Sequence, residues 1–293
     1  MSDDDVLALV TRVREACTAA GENDPLDEAA VLALEHRGLD GVRAWTPSSA
    51  GESTGGPTGE GFALRRDTEL DLAVAPADRG AGVGAGLAAQ ALAEPGPLTA
   101  WSHGDHPAAR ALAERHGLAR ARELWVMRRP ASEPLPPVEV PDGLTVRGFH
   151  AAPGPQADTD RDAVLAVNAA AFAHHPEQGS LDAHGFVERT AEPWWDPSGL
   201  ILAHDEEGLA GFHWTKQHSP QLGEVYVVGI APRAQGRGLG RLLTLAGLHH
   251  LHERGVGEVH LYVESDNHAA VHTYSRLGFT HAAADTHVQY RRA

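Results

Sequence analysis

The chain has 293 residues, and its 24 Lys and Arg are outnumbered by 40 Asp and Glu, for a net charge of −16. That length predicts about two domains, and that charge argues against a nucleic-acid partner or an anionic membrane surface. The single cysteine, Cys17, excludes an intramolecular disulfide framework; the acidic start Met1-Ser2-Asp3-Asp4-Asp5, with no apolar run near the ~18 residues a membrane span needs, predicts a cytoplasmic protein without a secretory leader. From the N-terminus, Val6, Leu9, Val10 and Val13 recur at helical spacing within residues 3–20, with Asp3, Asp4 and Asp5 at the end where a helix dipole favours anions. Asp24-Pro25 precedes a second helix over 27–37, residues 41–45 read as a strand, and the Gly/Ser/Thr/Pro-rich stretch 46–59 as a surface loop. Residues 61–75 read as two strands turning near Asp67, followed by a glycine-rich loop and an Ala/Leu helix. Residues 129–143 carry Pro130, Pro134, Pro136, Pro137 and Pro141 and read as a stiff, extended linker. Beyond it come a strand at 144–149, a helix at 159–172, a turn-rich segment from His174 to Gly179 and a short helix at 181–190. Strands follow near 200–203, 210–216 and 223–230, then a helix to about 254, a strand at 259–263, a helix at 268–277 and a closing strand or hairpin at 279–290.

The chain repeats itself. Ala75-Pro76-Ala77-Asp78-Arg79-Gly80-Ala81-Gly82-Val83-Gly84 aligns without gaps on Ala231-Pro232-Arg233-Ala234-Gln235-Gly236-Arg237-Gly238-Leu239-Gly240, and Asp105 to Leu118 aligns on Asp266 to Phe279. This is an internal duplication of one α/β unit. The expected organisation is an N-terminal domain at 1–130, the linker at 131–143 and a C-terminal domain at 144–293.

In both copies a strand feeds a glycine-rich loop that opens a helix. Unpaired N–H groups and the helix dipole there favour a phosphate. The loop has no G-K-[ST] ending, so it is not a Walker loop. Where the copies differ, Glu224 stands against Thr68 and Tyr274 against Ala113. A carboxylate and a phenol kept in one copy fit acyl transfer from a thioester to an amine. That reaction needs a base to neutralise the ammonium, donors for the oxyanion and an acid for the leaving thiolate. Glu224 is the candidate base, directly or through water, provided burial raises its pKa, and Tyr274 the candidate acid. Backbone N–H groups from Val228 through Gly229 to Ile230 would bind the thioester if that strand splays from its neighbour. No cysteine/histidine cluster has metal-ligand spacing, so no metal is expected.

Gln235-Gly236-Arg237-Gly238-Leu239-Gly240 resembles the Q/R-x-x-G-x-G/A pyrophosphate loop of the GNAT acetyltransferases, and Asn267 through Tyr274 to Gly278-Phe279 resembles their other hallmark. The tandem arrangement, with His174-His175-Pro176-Glu177-Gln178-Gly179, Gly211-Phe212-His213-Trp214-Thr215-Lys216 and Leu261-Tyr262-Val263-Glu264-Ser265-Asp266-Asn267, is similar to the mycothiol synthase family of actinobacteria. The resemblance covers nearly the whole chain and is dense from residue 172 onward. It implies an α/β fold of two tandem GNAT-like domains, each a mixed, mostly antiparallel sheet flanked by helices, with a catalytic second domain and a catalytically degenerate first. It implies acetyl transfer from acetyl-CoA to the cysteinyl amine of cysteinyl-glucosaminyl-inositol, the last step of mycothiol synthesis, by a protein expected to be a monomer.

The resemblance also implies site residues. Glu224 and Tyr274 would be base and acid. Val228, Gly229 and Ile230, the loop Gln235, Gly236, Arg237, Gly238, Leu239, Gly240 and Arg241, and the helix start Asn267, His268, Ala269, Ala270, Val271 and His272 would hold acetyl-CoA, with Leu72, Ala73 and Val74 the first-domain counterpart. Glu28, Glu177 (or Asp182 beside it), Lys216, Glu224 and Tyr262 would meet the amine substrate. The first loop departs from the pattern at Arg79-Gly80-Ala81. The alternatives are another GNAT amine acetyltransferase, acting on an aminoglycoside or a protein N-terminus, and a non-catalytic acyl-CoA sensor.

Overall fold

The computed structural model describes residues 1–47, 58–173, 179 and 181–292. Most of the expected surface loop at 46–59, and the segment 174–178 with Glu177, lie outside them. In chain order the elements are α1 (Asp3–Ala19), α2 (Glu28–Arg37), β1 (Val42–Trp45), β2 (Gly61–Arg66), β3 (Glu69–Val74), α3 (Val83–Ala91), β4 (Leu98–Ser102), α4 (Pro107–Arg115) and β5 (Ala119–Pro130). There follow β6 (Thr145–Gly148), α5 (Pro155–Ala171), α6 (Ala183–Thr190), β7 (Leu200–Asp205), β8 (Gly208–Ser219), β9 (Leu222–Ile230), α7 (Leu239–Glu253), β10 (Glu258–Glu264), α8 (His268–Arg276) and β11 (Thr280–Arg292). The closing segment is one long strand rather than a hairpin, and α5 starts a turn earlier than its apolar pattern, at Pro155, whose fixed φ suits a first helical position.

The chain forms two units, Met1–Trp125 with Ala282–Ala293, and Val126–His281. These differ from the expected boundaries at 130 and 144. The second unit begins inside β5, and the end of the chain returns to the first. Residues 131–143, expected as a stiff linker, are tied down at their start. The buried Arg129 donates to the carbonyls of Leu277, Glu133 and Pro134, and Ala131 N–H donates to Gly257, which ties the proline-rich stretch to the second unit.

In the first unit the strand order is β1-β2-β3-β4-β11. β1, β2 and β3 are antiparallel, β4 lies parallel to β3, and β11 antiparallel to β4. Ser2 caps α1 in a reciprocal box with Asp5, and its apolar stripe (Val6, Leu9, Val10, Val13, Cys17) packs on Phe62 and Leu64. In the second unit the order is β10-β9-β8-β7-β6, antiparallel except for the parallel pair β9 and β10. α5 packs on β8 and β9, as does α7. Alternation along β8 serves both faces. Phe212 and Trp214 join Val164, Val167 and Phe186, while His213 sends Nδ1 to the Leu243 carbonyl on α7 at 2.8 Å. Trp214 is fully buried, its ring ringed by Phe186, Trp195, Tyr226 and Trp194 at 5.1, 5.4, 5.7 and 6.0 Å. Trp194 and Trp195 are partly buried and pack against the second unit's core.

Candidate active site

The β9–β10 pairing runs only from Leu222↔Glu258 to Val225↔Leu261. Past Val225 the two strands part, while β9 stays paired to β8 as far as Gly211↔Ile230. Val228, Gly229 and Ile230 therefore have one partner strand instead of two, which leaves a backbone edge on which an extended thioester arm can dock. The register also explains Gly229: a Cβ there would meet Phe212 Cε1 at 2.5 Å.

β9 leads through a 3-10 turn at Pro232–Ala234 into the glycine loop. Gly236 and Gly238 take left-handed φ values of 77° and 79°, and Gly238 is the N-cap of α7 with no side chain bonded into the cap. The first N–H groups of α7 are thus left without a capping side chain. Asp205 accepts from Arg233 and Arg237 at 2.9 and 2.8 Å, which anchors the loop and holds the Asp205 carboxyl well below the usual range. Leu239 is buried under the loop, whereas Arg241 is exposed on the first turn of α7. On the far side, Asn267 caps α8 by accepting from Ala270 N–H at 3.1 Å. His268, Ala269 and His272 are exposed along the start of that helix, with Ala270 and Val271 half-buried.

Glu224 sits where the strands fork. Its cross-strand neighbours are Lys216 on β8 and His260 on β10, so three side chains share one face. The carboxylate is 6% exposed; it accepts from His218 Nε2 at 2.6 Å, and His260 Nε2 stands 3.6 Å from the same oxygen. Burial alone would raise its pKa, but the two imidazoles outweigh burial and pull it down to about 2. This corrects the expectation that burial would tune Glu224 upward as a base: at neutral pH it is a fixed anion. Lys216 turns its ammonium to the rings of Trp194 and Tyr226, at 4.7 and 5.4 Å. Tyr262, one of the exposed large side chains, stacks edge-on to His260 with centroids 5.4 Å apart.

Tyr274 lies on α8 with its ring edge-on to Phe279 at 5.9 Å, and its hydroxyl has no hydrogen-bond partner among the described residues. Burial pushes its pKa up to about 12, so the phenol keeps its proton at neutral pH.

Sequence reasoning missed His218 and His260. Both are single histidines on strands, with no spacing that singles them out. Their ligand atoms and that of Glu224 lie within 4.8 Å of one another, the kind of histidine/carboxylate group absent from the linear pattern. A metal ion there would have to replace the direct 2.6 Å hydrogen bond.

The remaining expected residues belong to the first unit or lie outside the described residues. Glu28 opens α2, capped by Asp27. Glu177 is not among the described residues, whereas its neighbour Asp182 caps α6 by accepting from Gly185 N–H. Leu72, Ala73 and Val74 end β3, which pairs with β4 only at Glu69↔Thr99 and Leu70↔Ala100, so the same splay recurs. Gly80 and Gly82 again take left-handed φ, 81° and 88°. Here, however, Arg79 fills the fork. It donates to the Val74 carbonyl at 3.0 Å, clasps both carboxylate oxygens of Glu22 and reaches His106. The hairpin also differs. β2–β3 turns at Asp67, whereas β8–β9 runs on to a turn at Pro220, and that extension carries Lys216, His218 and Glu224.

Residues 169–279 match the model of the acetyltransferase (GNAT) family. A mycothiol acetyltransferase of Nocardioides sp. is 55% identical over 306 aligned residues, covering 98% of both chains. The chain belongs to the mycothiol acetyltransferase family. A second mycothiol acetyltransferase, from Rhodococcus jostii, is 48% identical over 97% of this chain and 94% of its own. Among solved structures, a tandem GNAT protein from the clavulanic acid biosynthesis pathway aligns with TM-score 0.66 at 21% identity, covering 99% of this chain and 95% of its own. A GCN5-related N-acetyltransferase from Sphaerobacter thermophilus aligns at 0.65 and 23%, covering 97% and 91%. These two likenesses show the fold, and the match to the GNAT family together with the curated relatives shows an acetyl-CoA-dependent N-acetyltransferase. Among the described residues no helix is long and apolar enough to cross a membrane.

Proposed function

We propose that this member of the mycothiol acetyltransferase family moves acetyl from acetyl-CoA to the cysteinyl amine of cysteinyl-glucosaminyl-inositol, closing mycothiol synthesis. The observation that carries the reading is the fork itself. A half-paired strand edge (Val228 to Ile230) runs into an uncapped glycine loop on one side, and a buried, charged Glu224 stands at the branch point on the other. Acetyl-CoA lays its pyrophosphate on the N–H groups from Gln235 to Arg241 and its pantetheine along β9, bringing the thioester to the fork. The amine approaches from the side of Lys216, Glu224 and Tyr262, where the Glu224 anion attracts an ammonium. After attack, the oxyanion lies near the β9 amides, and Tyr274 hands its proton to the departing thiolate.

The test is an acceptor panel with acetyl-CoA and purified full-length chain. Turnover with cysteinyl-glucosaminyl-inositol, and at least tenfold less with an aminoglycoside or a peptide N-terminus, is expected. A preference for the peptide would sink the substrate assignment while leaving the acetyl transfer intact.

A further inference from the structure

Proton removal from the acceptor is incompletely explained by Glu224. An α-amino group titrates near 8, and the two imidazoles hold the Glu224 carboxylate well below the usual carboxylate range, which makes it a poor acceptor for that proton. The group bonded to that carboxylate is better suited. His218 is the extra residue of a bulge: Gln217 pairs with Gly223 and Ser219 with Leu222, so His218 opposes nothing and its ring swings over Glu224. An ionised Glu224 can only accept, so Nε2 of His218 carries the hydrogen and Nδ1 the lone pair. That Nδ1 has no hydrogen-bond partner among the described residues, and the side chain is one-third exposed where substrate and water can reach it. A carboxylate that fixes an imidazole's tautomer leaves the opposite ring nitrogen free to accept a proton.

Resting on the function proposed above, we infer that His218 is the proton acceptor for the substrate ammonium, with Glu224 fixing and stabilising it and His260 holding Glu224 in place from the opposite side. The charged and titratable groups facing His218 are Glu224 on β9, His260 on β10 (ring centroids 5.2 Å away) and Lys216 two residues earlier on β8, whose ammonium is turned to Trp194 and Tyr226. One carboxylate anion lies against the ring.

The protons balance. The ammonium N–H bond breaks and an Nδ1–H bond forms on His218. The neutral amine then forms the N–C bond to the acetyl carbonyl, whose π electrons move onto oxygen. Collapse breaks the C–S bond, the thiolate takes the Tyr274 proton, and the second amine proton restores Tyr274. His218 releases its proton to water at its exposed edge, so one proton leaves per turnover.

The test is kcat/KM against pH for the wild type, His218→Ala and His218→Gln, with the cysteinyl substrate. The expected result is a fall of about a hundredfold or more at pH 7, loss of the wild-type acid limb, an unchanged KM for acetyl-CoA, and partial recovery of His218→Ala by added imidazole. A merely structural role would not give imidazole rescue with its own pH dependence. Overturning results are an acid limb and rate within about twofold of wild type in both variants, an absence of rescue in a folded His218→Ala protein with normal acetyl-CoA binding, or activity that a chelator abolishes. If the wild type itself does not acetylate the cysteinyl amine, the proposed function fails. If it does and His218→Ala matches it, only the role of His218 fails.

Discussion

Glu224 Oε2 accepts a 2.6 Å hydrogen bond from His218 Nε2 while His260 Nε2 stands 3.6 Å from the same oxygen. Two imidazoles on one buried carboxylate make it a permanent anion over the working pH range. Glu224→Gln keeps the shape but removes the charge that orients His218. Its turnover is expected to fall about a hundredfold or more with acetyl-CoA affinity within about twofold of wild type, measured by steady-state kinetics and calorimetry. Equal turnover would show that the anion is dispensable.

Tyr274→Phe removes the proposed acid without removing the ring that packs on Phe279. Turnover should drop by about a hundredfold, with acetyl-CoA binding retained. Because burial lifts the phenol to about 12, the wild-type rate should show no alkaline limb from Tyr274 below about pH 10. The same shift bears on stability. The folded value is the raised one, so its contribution is complete below about pH 10 and is lost as pH rises toward 12.

Acid should unfold the second unit in two windows. Burial holds His213 neutral, its pKa lowered from 6.5 to about 4, so stability falls as pH drops from 6.5 toward 4. Glu224 is lowered from 4.5 to about 2, so its contribution is present above 4.5 and is lost as pH falls toward 2. Each is worth on the order of 3 kcal/mol. Urea unfolding followed by the Trp194, Trp195 and Trp214 fluorescence at a series of pH values checks both, and Glu224→Gln should flatten only the lower window.

Two glycines of α7 should respond oppositely to alanine. In a helix interior Gly→Ala ordinarily stabilises by about 1 kcal/mol. At Gly240, in the first turn, nothing lies within 4 Å of an added Cβ, so the melting temperature should rise. At Gly247 the new Cβ would run into the His213 imidazole, so a loss of roughly 1–3 kcal/mol is expected. Thermal melts of the two variants decide the matter.

Arg79 should make the first unit the weaker acetyl-CoA site. Its guanidinium holds the Val74 carbonyl and Glu22 across the fork where a pantetheine would lie. Calorimetry should find one tight site per chain and at most one weaker by about tenfold, and Glu22→Gln, which loosens the clasp, should strengthen the second. Two equal sites in the wild type would refute this.

Much of the frame was legible in the sequence, because it rests on local physics. The helix starts carry their own caps at Ser2, Asp27, Asp182 and Asn267, and Gly236 and Gly238 mark the left-handed backbone of the loop. The duplication exposed Glu224 and Tyr274 without any structure, since each copy is a control for the other. What surrounds Glu224 was not legible. His218 meets it only because a bulge shifts the β8–β9 register, and His260 only because β10 pairs beside β9 at that point; one residue of slip would turn either ring to the opposite face. The direction of the Glu224 shift followed from those contacts, since burial and the hydrogen bonds of the two imidazoles act with opposite signs and only distance decides between them. The return of the last strand to the first unit and the Arg79–Glu22 clasp were likewise set by pairings between distant segments. The sequence by itself determined a duplicated acyl-CoA fold and its two distinguishing side chains; the tertiary structure alone decided that the carboxylate is a fixed anion wired to a histidine, because register and burial are properties of the folded sheet and not of any one strand.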